Sequence, residues 1–228
     1  MTSELEFIKA VTDLLIAVVC VPCIALLCRQ RKCLIRTLWL KGLSLLAVAS
    51  VMGFAAHGFI LDGLTLRILW AFLYPVMFEA SRAFILCLLT VYGEGFPTES
   101  DRGVLLWGEI ILCSAAVIIR LVTGANTIMI YAVYAAIAIS LVLVKIPNHK
   151  HRISRHLVLD AFILIIIVTL AILSQVFIRK VRYVFSLPFN GVIIAHILLA
   201  AVPLSIYQIA KCQILSNAEC DAAGPEEE

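Results

Sequence analysis

Seven long apolar stretches separated by short polar breaks fill nearly the whole chain, at about residues 8–28, 37–61, 66–92, 104–123, 127–146, 156–178 and 189–210. As a helix, each can cross a hydrocarbon core of about 30 Å, which takes about 20 residues at about 1.5 Å each. The stretches are continuously apolar and do not alternate. Helices are therefore predicted and barrel strands are not, because a spanning helix satisfies its own backbone hydrogen bonds. The predicted fold class is all-α, a seven-transmembrane-helix bundle.

The breaks leave no room for a separate soluble domain. The largest are GEGFPTESDRG after the third stretch, PNHKHRISRH after the fifth, and the C-terminal end. Residues 1–212 are read as one membrane domain. Residues 213–228, which end in the acidic DAAGPEEE, are read as a disordered tail. The first stretch is too long for a signal-peptide core, lacks a small-x-small cleavage site and runs into the basic RQRK, so it is expected to remain as the first helix. Pro22, Pro75 and Pro203 interrupt the first, third and seventh stretches, where each removes a backbone donor and can bend the helix.

A hydrophobic content of 63%, with only 14% charged residues, lies outside the soluble class. The distribution of basic residues then sets an orientation. With the N-terminus outside, Arg29, Arg31, Lys32, Arg36, Arg102, Lys145, Lys150, Arg152, Arg155 and Lys211 lie inside, against Lys9, Arg67, Arg120, Arg179, Lys180 and Arg182 outside. The positive-inside rule favours N-terminus outside and C-terminus inside. The net charge of +3 thus describes orientation in a membrane, and no nucleic-acid partner is implied.

The eight cysteines form no disulfide framework. Cys20, Cys23, Cys87 and Cys113 fall within spans, while Cys28, Cys33 and Cys212 fall near the inner face, which suits a reducing side. The Cys20–Cys23 CxxC string is read as packing residues of an apolar helix. His149 and His151 are read as part of a solvated basic loop.

Ionisable residues inside spans carry the chemistry, because burying them in hydrocarbon is expensive. Three of them fall at one depth. Asp13 lies about 7–9 Å below the outer end of the first helix, His57 about 8–9 Å below the end of the second, and His196 about 10–12 Å below Pro188. In a closed ring of seven the first, second and last helices are neighbours, so the three side chains can converge. Gly53, Ala56 and Gly58 around His57, and Ala195, Ala200 and Ala201 around His196, permit close helix approach. One carboxylate and two imidazoles suit Zn2+ with an open position for a nucleophilic water. The same residues equally suit a plain hydrogen-bonded pair with one satisfied histidine between helices.

Two further groups complete the candidate site. Asp62, at the outer end of the second helix, is a cap residue or a base acting near His57, and Tyr74, about 12–14 Å deep in the third helix, is a packing aromatic or a phenol donor. Deeper in the third helix, Glu79 and Arg82 stand three residues apart and are expected to pair structurally. Glu109 and Asp160 are expected near the inner face, each where the positive helix end favours an acid.

GFAAHGF, which ends the second stretch, and FNGVIIAHILLAAVPLSIYQIAK, which forms the seventh, resemble the histidine-bearing segments of the superfamily that contains alkaline ceramidases and progestin/adiponectin receptors. TDLLIA, around Asp13, resembles an uncharacterised bacterial branch of seven-helix proteins related to it. The resemblance implies a zinc site held by one histidine of the second helix and a histidine pair spaced four apart in the seventh, and it implies hydrolysis of lipid amides. His57 matches the first of these and His196 one member of the pair. Val192 and Ala200 stand where the other member would be, Gly53 stands in place of the expected serine, and Asp13 is the available replacement ligand.

Three functions follow as expectations. The first is a metal-dependent hydrolase of lipid amides or esters with Asp13, His57 and His196 as ligands. The second is a non-catalytic receptor or sensor for a lipid or small ligand, switched by histidine protonation. The third is a proton-coupled transporter using Asp13, Glu79 and the histidines. Membrane lipids are the expected partners, and the sequence does not reveal an oligomeric state.

Overall fold

The computed structural model describes residues 2–59, 62–92, 97–125, 127–145, 163–171, 173 and 191–222, and among them all regular structure is helical. The helices are α1 (Thr2–Cys28), α2 (Leu34–Gly58), α3 (Gly63–Tyr92), α4 (Glu99–Thr123), α5 (Ile128–Lys145), α6 (163–171) and α7 (Gly191–Ala222). Five contain stretches long and apolar enough to cross a membrane: Glu6–Cys28, Leu34–Gly58, Gly63–Thr90, Glu99–Thr123 and Ile193–Leu215. An apolar segment of α5, Met129–Val142, is shorter. The basic loop with His149 and His151, the cluster Arg179, Lys180 and Arg182, Asp160 and Pro188 lie outside the described residues.

Local chemistry fixes the helix ends. At the start of α2 the Cys33 sulfur accepts from Arg36 N at 3.4 Å, while Arg36 Nη1 donates to Gln30 O at 2.7 Å and closes the α1–α2 turn. Thr98 and Asp101 form a reciprocal capping box at the start of α4. α4 stops at Gly124, whose φ of 69° is left-handed. A side chain there would also meet the Arg67 guanidinium, 2.8 Å from the position a Cβ would take.

The packing order positions the site. α1 packs against α2 and α7, α2 also against α3, and α3 also against α4 and α5, so α7 closes back on the beginning of the chain. At one end of that seam Trp39, with no exposed surface, donates from Nε1 to Gln213 Oε1 at 2.8 Å, and Gln213 Nε2 donates to Thr90 Oγ1 at 2.8 Å. A buried indole N–H is thereby satisfied. The same bonds correct the tail boundary: α7 continues to Ala222, with Gln213 and Ile214 buried, so the segment read as disordered from 213 begins as helix.

Cys20, Cys23, Leu27, Leu43 and Ile206 share the main core, and both thiols of the CxxC string are free and buried within it. A cavity of about 170 Å³ lies between α2, α3, α5, α6 and α7. Its lining is apolar apart from Ser81 and Tyr131, whose hydroxyls lie 2.6 Å apart.

Candidate functional site

The site stands where α1 begins and α2 ends. Glu6, Lys9 and Asp13 recur at helical spacing on α1 and face α2 and α7. Lys9 donates to Glu6 Oε1, and the other carboxylate oxygen, Oε2, lies 2.7 Å from His57 Nδ1. The His57 ring lies 6.2 Å from the His196 ring of α7. His196 Nδ1 in turn lies 3.3 Å from Asp13 Oδ1 and 3.2 Å from Thr12 Oγ1. Acid, imidazole, imidazole and acid thus follow one another across three helices.

Hydrogen-bond bookkeeping assigns protons within this chain. Thr12 spends its hydroxyl hydrogen on Lys9 O at 2.8 Å, so its oxygen is left to accept from His196 Nδ1–H. An ionised Glu6 only accepts, so His57 Nδ1 donates to it.

Exposure falls along the chain. The Glu6 side chain is 44% exposed and that of His57 15%, whereas Asp13 and His196 retain only 6% and 8% as residues. Asp13 Oδ2 has no hydrogen-bond partner among the described residues. It sits 2.7 Å from where a Cβ at position 53 would stand, so Gly53 is the residue that makes room for this carboxylate. A buried carboxylate oxygen without a donor is costly, and such atoms in native proteins call for a proton, a water or a ligand.

Trp70 of α3 forms the site's side wall. Its ring lies 5.8 Å from that of His57, edge to face, and the Arg120 guanidinium of α4 lies 5.6 Å from its centroid. Tyr74, only 2% exposed, lies one turn further along α3, its ring 6.3 Å from Trp70 and packed in a cluster with Phe78 and Tyr134. Trp70 lies beside both rings, and the Tyr74 ring packs among aromatic residues.

Asp62 is also placed elsewhere. It is exposed and caps α3: Oδ1 accepts from Leu64 N at 2.9 Å and Thr65 N at 2.8 Å, and Oδ2 accepts from Thr65 Oγ1 at 2.6 Å. The Thr65 hydroxyl first, then the backbone N–H groups, hold its carboxyl below the usual aspartate range. The cap role weighed for Asp62 from the sequence is the one these bonds describe. Glu6, Lys9, Thr12 and Trp70, by contrast, join the site without having stood out in the sequence. The available signal was the seven-residue interval from Glu6 to Asp13, which puts both on one helix face.

A second polar group lies further along α3. Glu79 accepts from Arg82 through both oxygens, at 2.7 Å and 2.6 Å from Nη2 and 2.9 Å from Nε, and also from Lys41 of α2. Glu109 of α4 brings Oε2 to 2.6 Å from Arg82 Nε, an ion pair without hydrogen-bond alignment. Glu109 is thus no isolated acid at a helix start. It stands about 15 Å into α4 and joins the Glu79–Arg82 pair.

The family model for the Family of unknown function (DUF6962) matches residues 8–212. The chain belongs to this family. No curated protein and no solved structure matches it. The DUF6962 match contains Asp13, His57, His196 and all four charged residues of the second group, whereas Glu6 lies before it.

Zinc, which the superfamily resemblance implies, needs at least three protein ligands. Among the described residues no three His, Cys, Asp or Glu side chains are grouped so as to hold a metal ion. Asp13 and His196 approach each other, while His57 places Nδ1 beside Glu6.

Proposed function

We propose that this DUF6962 member is a seven-span integral membrane protein, N-terminus outside and C-terminus inside, that works as a protonation-linked receptor for a lipid or small ligand at the layer formed by Glu6, His57, His196 and Asp13. Seven apolar segments and the ten-to-six distribution of Lys and Arg support the topology. One observation carries the function: a buried carboxylate oxygen without a donor stands beside His196, at the end of a chain of titratable groups that leads to the half-exposed Glu6.

The groups facing this layer are Glu6, Lys9 and Asp13 from α1, His57 from α2 and His196 from α7, with Arg120 of α4 acting through Trp70. A ligand that donates to Asp13, or a proton taken up by either imidazole, changes the hydrogen bonds that tie α1 to α2 and α7. The test is NMR of ring-labelled histidines in lipid nanodiscs, with His57 and His196 assigned through their Gln variants. Coupling is expected: each variant displaces the titration of the other ring. Two rings that titrate independently, each unaffected by loss of the other, would defeat the proposal.

Glu6 on His57 Nδ1 favours a second reading, hydrolysis of a lipid amide or ester. A carboxylate that orients an imidazole leaves Nε2 as a general base toward water. Fatty acid released from a panel of lipid amides and esters, and abolished by both His57→Gln and Glu6→Gln, would favour turnover. Saturable binding with no release would favour the receptor.

A further inference from the structure

α2 and α3 lie side by side and antiparallel, and both are long and apolar enough to span a bilayer. The exposed face of α2 recurs at Leu34, Thr37, Lys41, Ser44, Val48 and Val51, the alternating three-and-four spacing of a helix–helix seam. On α3 the neighbouring exposed edge runs through Phe72 and Pro75 to Glu79. The Lys41–Glu79 pair sets the register, so Ser44 stands level with Pro75 and Val48 with Phe72.

This edge is an unusual one to offer to lipid. Phe72 and Val48, 66% and 48% exposed, are ordinary lipid-facing residues. Lys41 is not: its side chain is 49% exposed although it stands about 10 Å along α2 from Leu34. An ammonium has three donors, and hydrocarbon offers none of them an acceptor. The Lys41 ammonium is turned to Glu79, whose two oxygens also serve Arg82. A protein surface over the patch would remove this cost.

Charge selects the occupant. Lys41 and Arg82 balance Glu79 and Glu109, so a partner with a net charge at this depth would leave one charge unmatched. A second copy turned about a two-fold axis brings Lys41 to Glu79 and Glu79 to Lys41, the self-complementarity that an isologous contact requires. Ser44 between them is small enough for the helices to approach closely. We propose that the α2–α3 edge around Lys41, Ser44, Val48, Phe72, Pro75 and Glu79 is the interface of a homodimer within the membrane, each Lys41 shared between its own Glu79 and that of the second copy.

Subunit counting by single-molecule photobleaching of the full chain, in phosphatidylcholine vesicles at low protein density, tests this. The wild type should bleach predominantly in two steps. Ser44→Phe and Val48→Trp add bulk only to the exposed face, and each should weaken dimerisation at least about tenfold while single chains in nanodiscs keep the wild-type melting temperature. Lys41→Glu should weaken it similarly. One-step bleaching of the wild type at every density would overturn the proposal. So would dimers indifferent to both Ser44→Phe and Val48→Trp, or stable association with a different protein in place of a second copy.

Discussion

The two polar layers answer the same problem in opposite ways. Each gathers acids and bases from three helices at depths where charge is expensive. In the layer at Lys41, Glu79, Arg82 and Glu109 the bases are Lys and Arg, and Glu79 is engaged through both oxygens. In the layer at Glu6, His57, His196 and Asp13 the bases facing the acids are chiefly imidazoles; each layer holds one carboxylate oxygen that accepts no hydrogen bond, Glu109 Oε2, which is ion-paired with Arg82, in the first and Asp13 Oδ2 in the second. The first arrangement ties α2, α3 and α4 together through Lys and Arg. The second joins α1 to α2 and α7 through two imidazoles and ends in a carboxylate oxygen that accepts no hydrogen bond among the described residues. Function is assigned to the layer whose unmatched oxygen, Asp13 Oδ2, has no Arg or Lys ion pair among the described residues.

Arg82→Leu breaks the comparison hardest, because it strips Glu79 of its bidentate partner and Glu109 of its ion pair. A loss of about 3–5 kcal/mol is expected, read as a large fall in melting temperature in nanodiscs across neutral pH. A small change would mean that the layer does not hold the helices.

Gly53→Ala comes next. The added methyl falls within contact distance of Asp13, and about 1–3 kcal/mol should be lost by the same measurement. In an Asp13→Ala background the space is vacated, so the penalty of Gly53→Ala should shrink. Equal penalties in both backgrounds would place the strain elsewhere.

Asp13→Asn sharpens the contrast. It keeps the shape but gives the unpaired position an amide, so it should cost less than about 1 kcal/mol of stability while abolishing ligand- or proton-linked changes in the His196 resonance. A stability loss as large as that of Arg82→Leu would make Asp13 structural.

The smallest effect belongs to Asp62, whose carboxyl is held below its ordinary range by the α3 cap. A depressed folded-state value means that the contribution is present above the unfolded value, about 3.9, and is lost as the pH falls through the folded one. Asp62→Ala should therefore lower the melting temperature slightly at neutral pH, and the difference from wild type should vanish in strong acid. A difference that persists there would rule out the ionised cap.

Much of the helical pattern was legible because a hydrocarbon-length apolar run permits little else. Residue counting also put Asp13, His57 and His196 at similar depth, since rise per residue is nearly constant in a helix. Counting could not supply azimuth. Glu6 and Lys9 stood at the margin of the first run, and only the α1–α2 contact shows that Glu6 reaches His57. From the sequence Glu109 reads as a helix-start acid, because Arg82, the cation it meets in space, lies far from it along the chain. The chain past 213 reads as a tail because its end, DAAGPEEE, is acidic and lacks large apolar residues, whereas in space Trp39 bonds Gln213 and α7 runs on to Ala222.

Sequence alone determined that this is a helical chain with several membrane-length spans and that its few buried ionisable residues are the groups to explain, because the energetics of burying backbone and charge in hydrocarbon act residue by residue. Tertiary structure alone decided which of those groups meet, that Asp62 caps α3 and Glu79 serves two cations, and that one oxygen of Asp13 is left unmatched beside Gly53. Those outcomes depend on helix rotation and on side chains far apart in the chain, and neither the length nor the period of an apolar run encodes them.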